Sequence, residues 1–286
     1  MDVKTVGVVG CGLMGSGIAE IFARTGARVV VHELDAEAAR RGRARVEQSL
    51  LRAASTAKIT EEEAEAALER ITVGHDLDAL GPVDLVIEAA NEDEDIKTGL
   101  FRRLDRVIER PDAILATNTS SVPIMKLGTV TSRPAYVVGL HFFNPVPVLP
   151  LVEVVPSLLT SPETEQRVVQ VAEDLGKTVI RSKDRAGFIV NALLVPYLLG
   201  AVRMVESGYA SAADVDAGMV DGCAHPMGPL HLADLIGSDT VVAIAQSMYA
   251  EFKEPLYAPP PLLLRMVEAG LLGRKSGRGF FEYLST

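Results

Sequence analysis

Residues Val6 to Asp35 constrain this chain more than any other segment. They read as an apolar strand, Val6-Gly7-Val8-Val9, followed by a glycine turn, Gly10-Cys11-Gly12-Leu13-Met14-Gly15. A helix from about Ser16 to Thr25 comes next, and Arg28-Val29-Val30-Val31-His32-Glu33 is a second strand. Each glycine answers a different geometric demand. Gly10 permits the tight turn, and the missing side chain of Gly12 lets the backbone approach a pyrophosphate. Gly15 lets the helix pack closely on the strand, so that the helix's positive end faces the phosphates. Glu33 lies 18 residues past Gly15, where a carboxylate can accept hydrogen bonds from an adenosine ribose. The glycine pattern by itself would also suit a turn in an unrelated α/β protein. Its place between an apolar strand and an apolar-faced helix points to a dinucleotide site, with Gly10, Gly12, Leu13, Met14, Gly15 and Glu33 as expected contacts. A carboxylate at position 33 repels a 2′-phosphate and no arginine follows it closely, so NAD is favoured over NADP.

The 286 residues suffice for one large or two ordinary domains. A hydrophobic share of 48% excludes disorder, and a net charge of −10 argues against a nucleic-acid or membrane-surface binder. Two cysteines, Cys11 and Cys223, make no disulfide framework and fit a reducing cytosol. The first strand begins within five residues of Met1, which leaves no room for a signal peptide. No apolar run reaches the length of a membrane span, since Ala192 to Val205 is interrupted by Arg203. A cytoplasmic protein is expected.

After Asp35, Ala36 to Ala54 reads as one long helix, and Thr60-Glu61-Glu62-Glu63 opens a second that reaches about Arg70. Two consecutive helices interrupt the alternation, so a helical hairpin projecting from the sheet is expected over about 36–70. Strands are then expected at Thr72-Val73, Leu85 to Glu88, Ala113 to Ala116, Ala135 to Leu140, Leu151 to Val155 and Thr178 to Ile180, with helices between several of them. The pattern predicts an α/β fold, a Rossmann-type doubly wound sheet with helices on both faces. From about Asp184 the strand signal vanishes. Gly187 to Glu206 reads as a long apolar helix, and Leu230 to Glu251 and Leu262 to Ala269 continue in helical pattern. The expected domains are therefore 1–183 and an all-α C-terminal domain, 184–286. The apolar content of Phe188 to Val205 exceeds what a small helical domain needs to bury, which predicts a homodimer.

Four segments could carry chemistry. Thr117-Asn118-Thr119-Ser120-Ser121 follows a strand, where polar residues face the ligand crevice of an open α/β sheet; a turn and helix cap would explain it equally well. His141-Phe142-Phe143-Asn144-Pro145 also follows a strand. A lone histidine is more often structural, but Glu153 comes 12 residues later, and two adjacent strands would hold it beside His141. Such a pair gives an oriented imidazole suited to proton transfer. Asn191 is a polar residue one turn into an apolar helix and must find a partner, either local backbone or the interdomain cleft. Glu92 with Lys97 reads most simply as a solvated helix start. No cluster has metal-ligand spacing, and His225 and His231 flank a Pro-Met-Gly-Pro turn and read as structural.

Together these segments, with Pro226-Met227-Gly228-Pro229 and Gly273-Arg274-Lys275-Ser276-Gly277-Arg278-Gly279-Phe280, resemble the L-3-hydroxyacyl-CoA dehydrogenases. The likeness is nearest to the short bacterial 3-hydroxybutyryl-CoA dehydrogenases and runs through the whole chain in order. It implies NAD-linked oxidation of the 3-hydroxyl of an acyl-CoA thioester and dimerisation through the helical domain. Residue by residue, it puts the family's catalytic histidine on His141 and the orienting acid on Glu153. The substrate-positioning serine falls on Ser120 and the second domain's asparagine on Asn191. Glu92, Lys97, Ser120, Asn144 and Lys275 match NAD-contacting positions, and Ser55 and Lys58 match the part that touches CoA. Two departures stand out. The ribose acid, usually Asp, is Glu33, and Ser55-Thr56-Ala57-Lys58 carries one lysine where relatives often have several. The thin basic content leaves open a short hydroxyacyl group on an acyl carrier protein as the substrate. A non-catalytic, crystallin-like NAD-binding protein is the more distant alternative, disfavoured by the complete set Ser120, His141, Glu153 and Asn191.

Overall fold

Thr5–Val9 (β1) is buried along nearly its whole length, as a central strand covered on both faces must be. The computed structural model describes residues 3–283 and divides into two units, Met1–Arg185 and Ala186–Thr286.

In the first unit β1 leads through the glycine turn into Leu13–Arg24 (α1) and Arg28–His32 (β2). Ala36–Ser55 (α2) and Glu61–Glu69 (α3) form the hairpin, followed by Ile71–Gly74 (β3) and Leu85–Glu88 (β4). Glu94–Val107 (α4), Ile114–Thr117 (β5), Ile124–Thr129 (α5) and Val137–Phe142 (β6) continue the alternation. Leu151–Pro156 (β7), Pro162–Asp174 (α6) and Thr178–Arg181 (β8) complete it. The strands form one sheet in the order β3-β2-β1-β4-β5-β6-β7-β8, parallel except for the antiparallel pair β6–β7. The reversal of order between β2-β1 and β4 puts a crevice at the carboxyl ends of β1 and β4.

Local chemistry explains the element ends. Asp35 caps α2 by accepting the Ala38 N–H, and Thr60 and Glu63 form the reciprocal cap that starts α3. The hairpin does not project freely: Val46 and Leu50 of α2 and Ala64 and Ala67 of α3 join the core against α1, where Ile18 and Phe22 are fully buried. Burial of such an aliphatic or aromatic side chain contributes roughly 1.5–3 kcal/mol. Arg43 ties α2 to the Ile71 carbonyl.

The second unit is helical: Val190–Glu206 (α7), Ala212–Cys223 (α8), Pro229–Ile236 (α9), Ser238–Phe252 (α10) and Pro261–Glu268 (α11). Its core gathers Leu198, Leu199, Val202, Leu230, Ala245, Met248 and Leu263. Two expected helices are corrected here. The one expected from Gly187 starts at Val190, because Gly187 and Phe188 take positive φ and turn the chain first. The one expected over Leu230 to Glu251 is two helices, broken at Gly237, whose φ of +102° no regular helix accommodates. Among the described residues no helix is long and apolar enough to cross a membrane.

Candidate active site

The glycine turn separates three tasks in space. Gly10 has φ +89°, and a Cβ there would lie 2.8 Å from the Ala89 carbonyl oxygen. A Cβ on Gly15 would lie 1.9 Å from the Gly10 carbonyl oxygen, so α1 reaches its strand only with glycine here. At Gly12 a Cβ would meet nothing within 4 Å, so its surface is open. Gly12 is also the N-cap of α1 and offers no side chain to the first-turn N–H groups. The helix starts at Leu13, earlier than the spacing suggested, with Leu13 exposed and Met14 half-buried. An open backbone and an uncapped helix N-terminus fit a pyrophosphate. Glu33, just past β2, accepts the Cys11 N–H at 2.5 Å and the Leu34 N–H at 3.2 Å, which brings its carboxylate beside the turn. Burial and the Glu33 carboxylate push the Cys11 thiol up to about 12, so this buried cysteine stays protonated. The residues present fit a dinucleotide.

At the end of β4 a second cluster holds the serine segment. Lys97, 1% exposed, sets its Nζ 2.7 Å from Glu88 Oε1 and 3.2 Å from Glu92 Oε2, and donates to the Ala90 carbonyl at 3.4 Å. Glu92 Oε1 accepts from Thr119 Oγ1 at 2.5 Å, from the Ser120 and Ser121 amides at 2.8 and 2.9 Å, and from Ser121 Oγ at 2.8 Å. Ser120 Oγ lies 3.3 Å from the same oxygen. Burial opposes the charge of Glu92, but Lys97 and the hydrogen bonds from Thr119, Ser121 and Ser120 outweigh it and hold its carboxyl below the usual carboxylate range. The simple reading as a solvated helix start fails for Lys97, which is buried, whereas the Glu92 side chain keeps 34% exposure. Breaking the buried Lys97–Glu88 pair by removing one partner costs about 3–5 kcal/mol.

The third element is the antiparallel pair β6–β7, whose register sets His141 directly opposite Glu153. His141 Nδ1 lies 2.8 Å from Glu153 Oε2, and both side chains are buried. An ionised carboxylate only accepts, so Nδ1 carries the proton and Nε2 presents a lone pair. Phe143 meets the imidazole edge to face, with ring centroids 4.7 Å apart. Asn118 Oδ1 accepts the Phe142 N–H at 2.8 Å and so fixes the peptide that follows His141. Spacing did not single out that clamp, although the polar run after a strand was its visible sign.

The other expected residues are on separate elements. Asn144 is exposed just beyond β6. Asn191 is buried in the first turn of α7, in the second unit. Lys275, also in that unit, donates to Asp239 Oδ2 at 2.7 Å. Ser55 donates to the Arg52 carbonyl at 3.0 Å, and Lys58 is exposed at the hairpin's bend. Ser55 lines a cleft of about 860 Å³ between α2 and α3 whose walls are mainly leucine, alanine and glutamate side chains. His231 pairs with Asp216 at 2.6 Å and stacks on Phe281, and His225 meets the Tyr197 hydroxyl at 3.1 Å. Among the described residues no group of three or more His, Cys, Asp or Glu side chains could hold a metal ion. Glu88, the buried acid that pairs with Lys97, was not singled out from the sequence. Its signal was available, because an acid closing the apolar run Leu85-Val86-Ile87 must be paired when buried.

Comparison with known proteins agrees with this geometry. Residues 5–185 match the NAD binding domain of 3-hydroxyacyl-CoA dehydrogenase, and residues 187–283 match its C-terminal domain. A 3-hydroxybutyryl-CoA dehydrogenase of Mycobacterium tuberculosis is 57% identical over 98% of this chain and 99% of that protein. The crystal structure of M. tuberculosis FadB2 superposes with a TM-score of 0.97 at 56% identity, covering 99% of each chain. That of (S)-3-hydroxybutyryl-CoA dehydrogenase PaaH1 from Ralstonia eutropha gives 0.93 at 43% identity, covering 99% of this chain and 100% of the other. A dinucleotide turn, a buried His–Glu pair and two family domains in sequence have one common explanation: this chain is an NAD-dependent enzyme and belongs to the 3-hydroxyacyl-CoA dehydrogenase family.

Proposed function

We propose that the protein oxidises short L-3-hydroxyacyl-CoA thioesters, 3-hydroxybutyryl-CoA foremost, to the 3-ketoacyl-CoA, and reduces acetoacetyl-CoA in reverse. The observation that carries this reading is the buried His141–Glu153 pair, with His141 near the carboxyl end of β6 and Glu153 opposite it on β7. On oxidation His141 Nε2 takes the proton of the 3-hydroxyl, and on reduction it returns the proton to the 3-keto oxygen. Glu153 keeps Nδ1 protonated and offsets the imidazolium charge, a general acid–base contribution of about 10²–10⁴-fold. Ser120, held by Glu92, orients the substrate oxygen, and Asn191 is assigned the same task from the family's pattern. NAD supplies the hydride acceptor. Gly10, Gly12, Leu13, Met14 and Gly15 hold its pyrophosphate, Glu33 its adenosine ribose, and Glu92, Lys97, Asn144 and Lys275 are its remaining proposed contacts. Ser55 and Lys58 on the hairpin are the proposed contacts of the CoA end.

A homodimer through the helical unit is part of the proposal. Leu193 and Met204 lie on one side of α7 at 74% and 38% exposure, and α8 buries only Val215 and Asp216. An apolar face of this kind suits a twofold pairing. Location in the cytoplasm is proposed from the two unpaired cysteines.

The test is a steady-state assay with NADH against acetoacetyl-CoA, longer 3-ketoacyl-CoAs and the same acyl groups on an acyl carrier protein. Efficient turnover of acetoacetyl-CoA to the (3S) alcohol is expected. Turnover of the carrier-protein thioester alone would move the substrate assignment and keep the catalytic residues.

A further inference from the structure

Glu88 closes β4 with no solvent exposure, and the proton-transfer scheme does not use it. Its carboxylate accepts three hydrogen bonds: Oε1 receives the Ala90 N–H and Lys97 Nζ, each at 2.7 Å, and Oε2 receives Thr117 Oγ1 at 2.7 Å. A buried carboxylate persists where its charge and lone pairs are met, so its partners tell what it does. Lys97 passes from Glu88 to Glu92, and Glu92 gathers the backbone amides of Ser120 and Ser121. Thr117 Oγ1 in turn accepts the Thr119 N–H at 3.2 Å. Glu88 therefore grips the serine segment twice, directly at Thr117 and through Lys97 at Glu92.

We propose that Glu88 is a positioning residue for Ser120, acting through Lys97 and Thr117 to keep the segment 117–121 and the Glu92 carboxylate in one arrangement. The proposal rests on the roles given above to Ser120 and Glu92. Its chemistry can be separated from bulk. Glutamine at 88 keeps an acceptor for Ala90 and Lys97 but sets an amide NH₂ against Thr117 Oγ1, which already accepts from Thr119. The Thr117 hydroxyl must then turn its proton elsewhere. Lys97 also loses one of its two charged partners and is drawn toward Glu92. Both grips change while side-chain volume stays the same.

The experiment compares amide hydrogen exchange in the cofactor-free full chain for wild type, Glu88→Gln and Thr117→Val, alongside thermal midpoints and kcat/KM with acetoacetyl-CoA. In Glu88→Gln, exchange in the peptide covering 117–122 should rise about tenfold while β1, β6 and β7 keep wild-type protection. Its kcat/KM should fall about tenfold, with most of the loss in kcat. Thr117→Val should loosen the same peptide to a smaller degree and decides the matter if Glu88→Gln does not fold. Wild-type protection of 117–122 in both variants would overturn the proposal. So would exchange that rises evenly through the sheet with a fall in thermal midpoint, because Glu88 would then be a core ion pair and nothing more. Ser120→Ala and Glu92→Gln are assayed in parallel. Wild-type turnover in those two, beside a loosened peptide in Glu88→Gln, would sink the roles of Ser120 and Glu92 and leave the positioning relation standing.

Discussion

His141 Nδ1 and Glu153 Oε2 stand 2.8 Å apart because β6 and β7 run antiparallel with these two residues directly opposed. The register of this antiparallel pair gives the imidazole a fixed carboxylate partner on the neighbouring strand. Glutamine at 153 would fit the space but can turn its NH₂ toward Nδ1, which forces the proton onto Nε2. Glu153→Gln should therefore lower kcat by about 10²-fold or more. NADH affinity, measured by the fluorescence of the bound nucleotide, should stay within about twofold. A comparable loss of NADH affinity would mean that Glu153 shapes the cofactor site instead.

The glycines of the turn should fail in different ways. Gly12 has open space at its missing Cβ and a φ of −68°, so Gly12→Ala should fold with a wild-type thermal midpoint. Its NADH affinity should fall about tenfold or more, because the methyl group stands in the path of the pyrophosphate. Gly15→Ala drives a Cβ into the Gly10 carbonyl oxygen and should cost about 1–3 kcal/mol of stability in denaturant unfolding. Equal loss of stability in both variants would contradict the separation of tasks.

Glu33 should set the choice of nucleotide. Its carboxylate already lies against the turn through the Cys11 N–H, and a 2′-phosphate beside it would bring like charges together. Glu33→Ala should narrow the preference of kcat/KM for NADH over NADPH by about tenfold or more. An unchanged ratio would show that discrimination lies elsewhere.

The two cysteines should differ in reactivity. Cys11 is buried with its thiol pushed up to about 12, whereas Cys223 is exposed at the end of α8. The thiolate is the reactive form, so at pH 8 the native protein should label rapidly at Cys223 alone and at both residues once unfolded. Rapid labelling of Cys11 in the native protein would contradict the tight packing of the turn against Gly42.

Periodicity and glycine spacing revealed the sheet, the nucleotide turn and the change to helices, because each follows from a local rule about burial or φ. His141 and Glu153 were legible as well, since two neighbouring strands 12 residues apart in sequence can place such residues side by side. Glu92 and Lys97 were not. Their charges read as solvated, and only the tertiary packing of α4 against the strand ends buries Lys97 between Glu88 and the partly exposed Glu92. The break at Gly237 was hidden for a related reason, because an apolar helical pattern continues on both sides of a single glycine.

If His141 moves the proton in the reduction of acetoacetyl-CoA, its loss should slow hydride transfer and leave nucleotide binding intact. The most direct measurement is a single-turnover reaction of enzyme-bound NADH with acetoacetyl-CoA in wild type and His141→Ala, followed by loss of nicotinamide absorbance. His141→Ala should bind NADH with wild-type affinity and oxidise it at least about 10²-fold more slowly. A variant that binds NADH normally and turns over at close to the wild-type rate would contradict it.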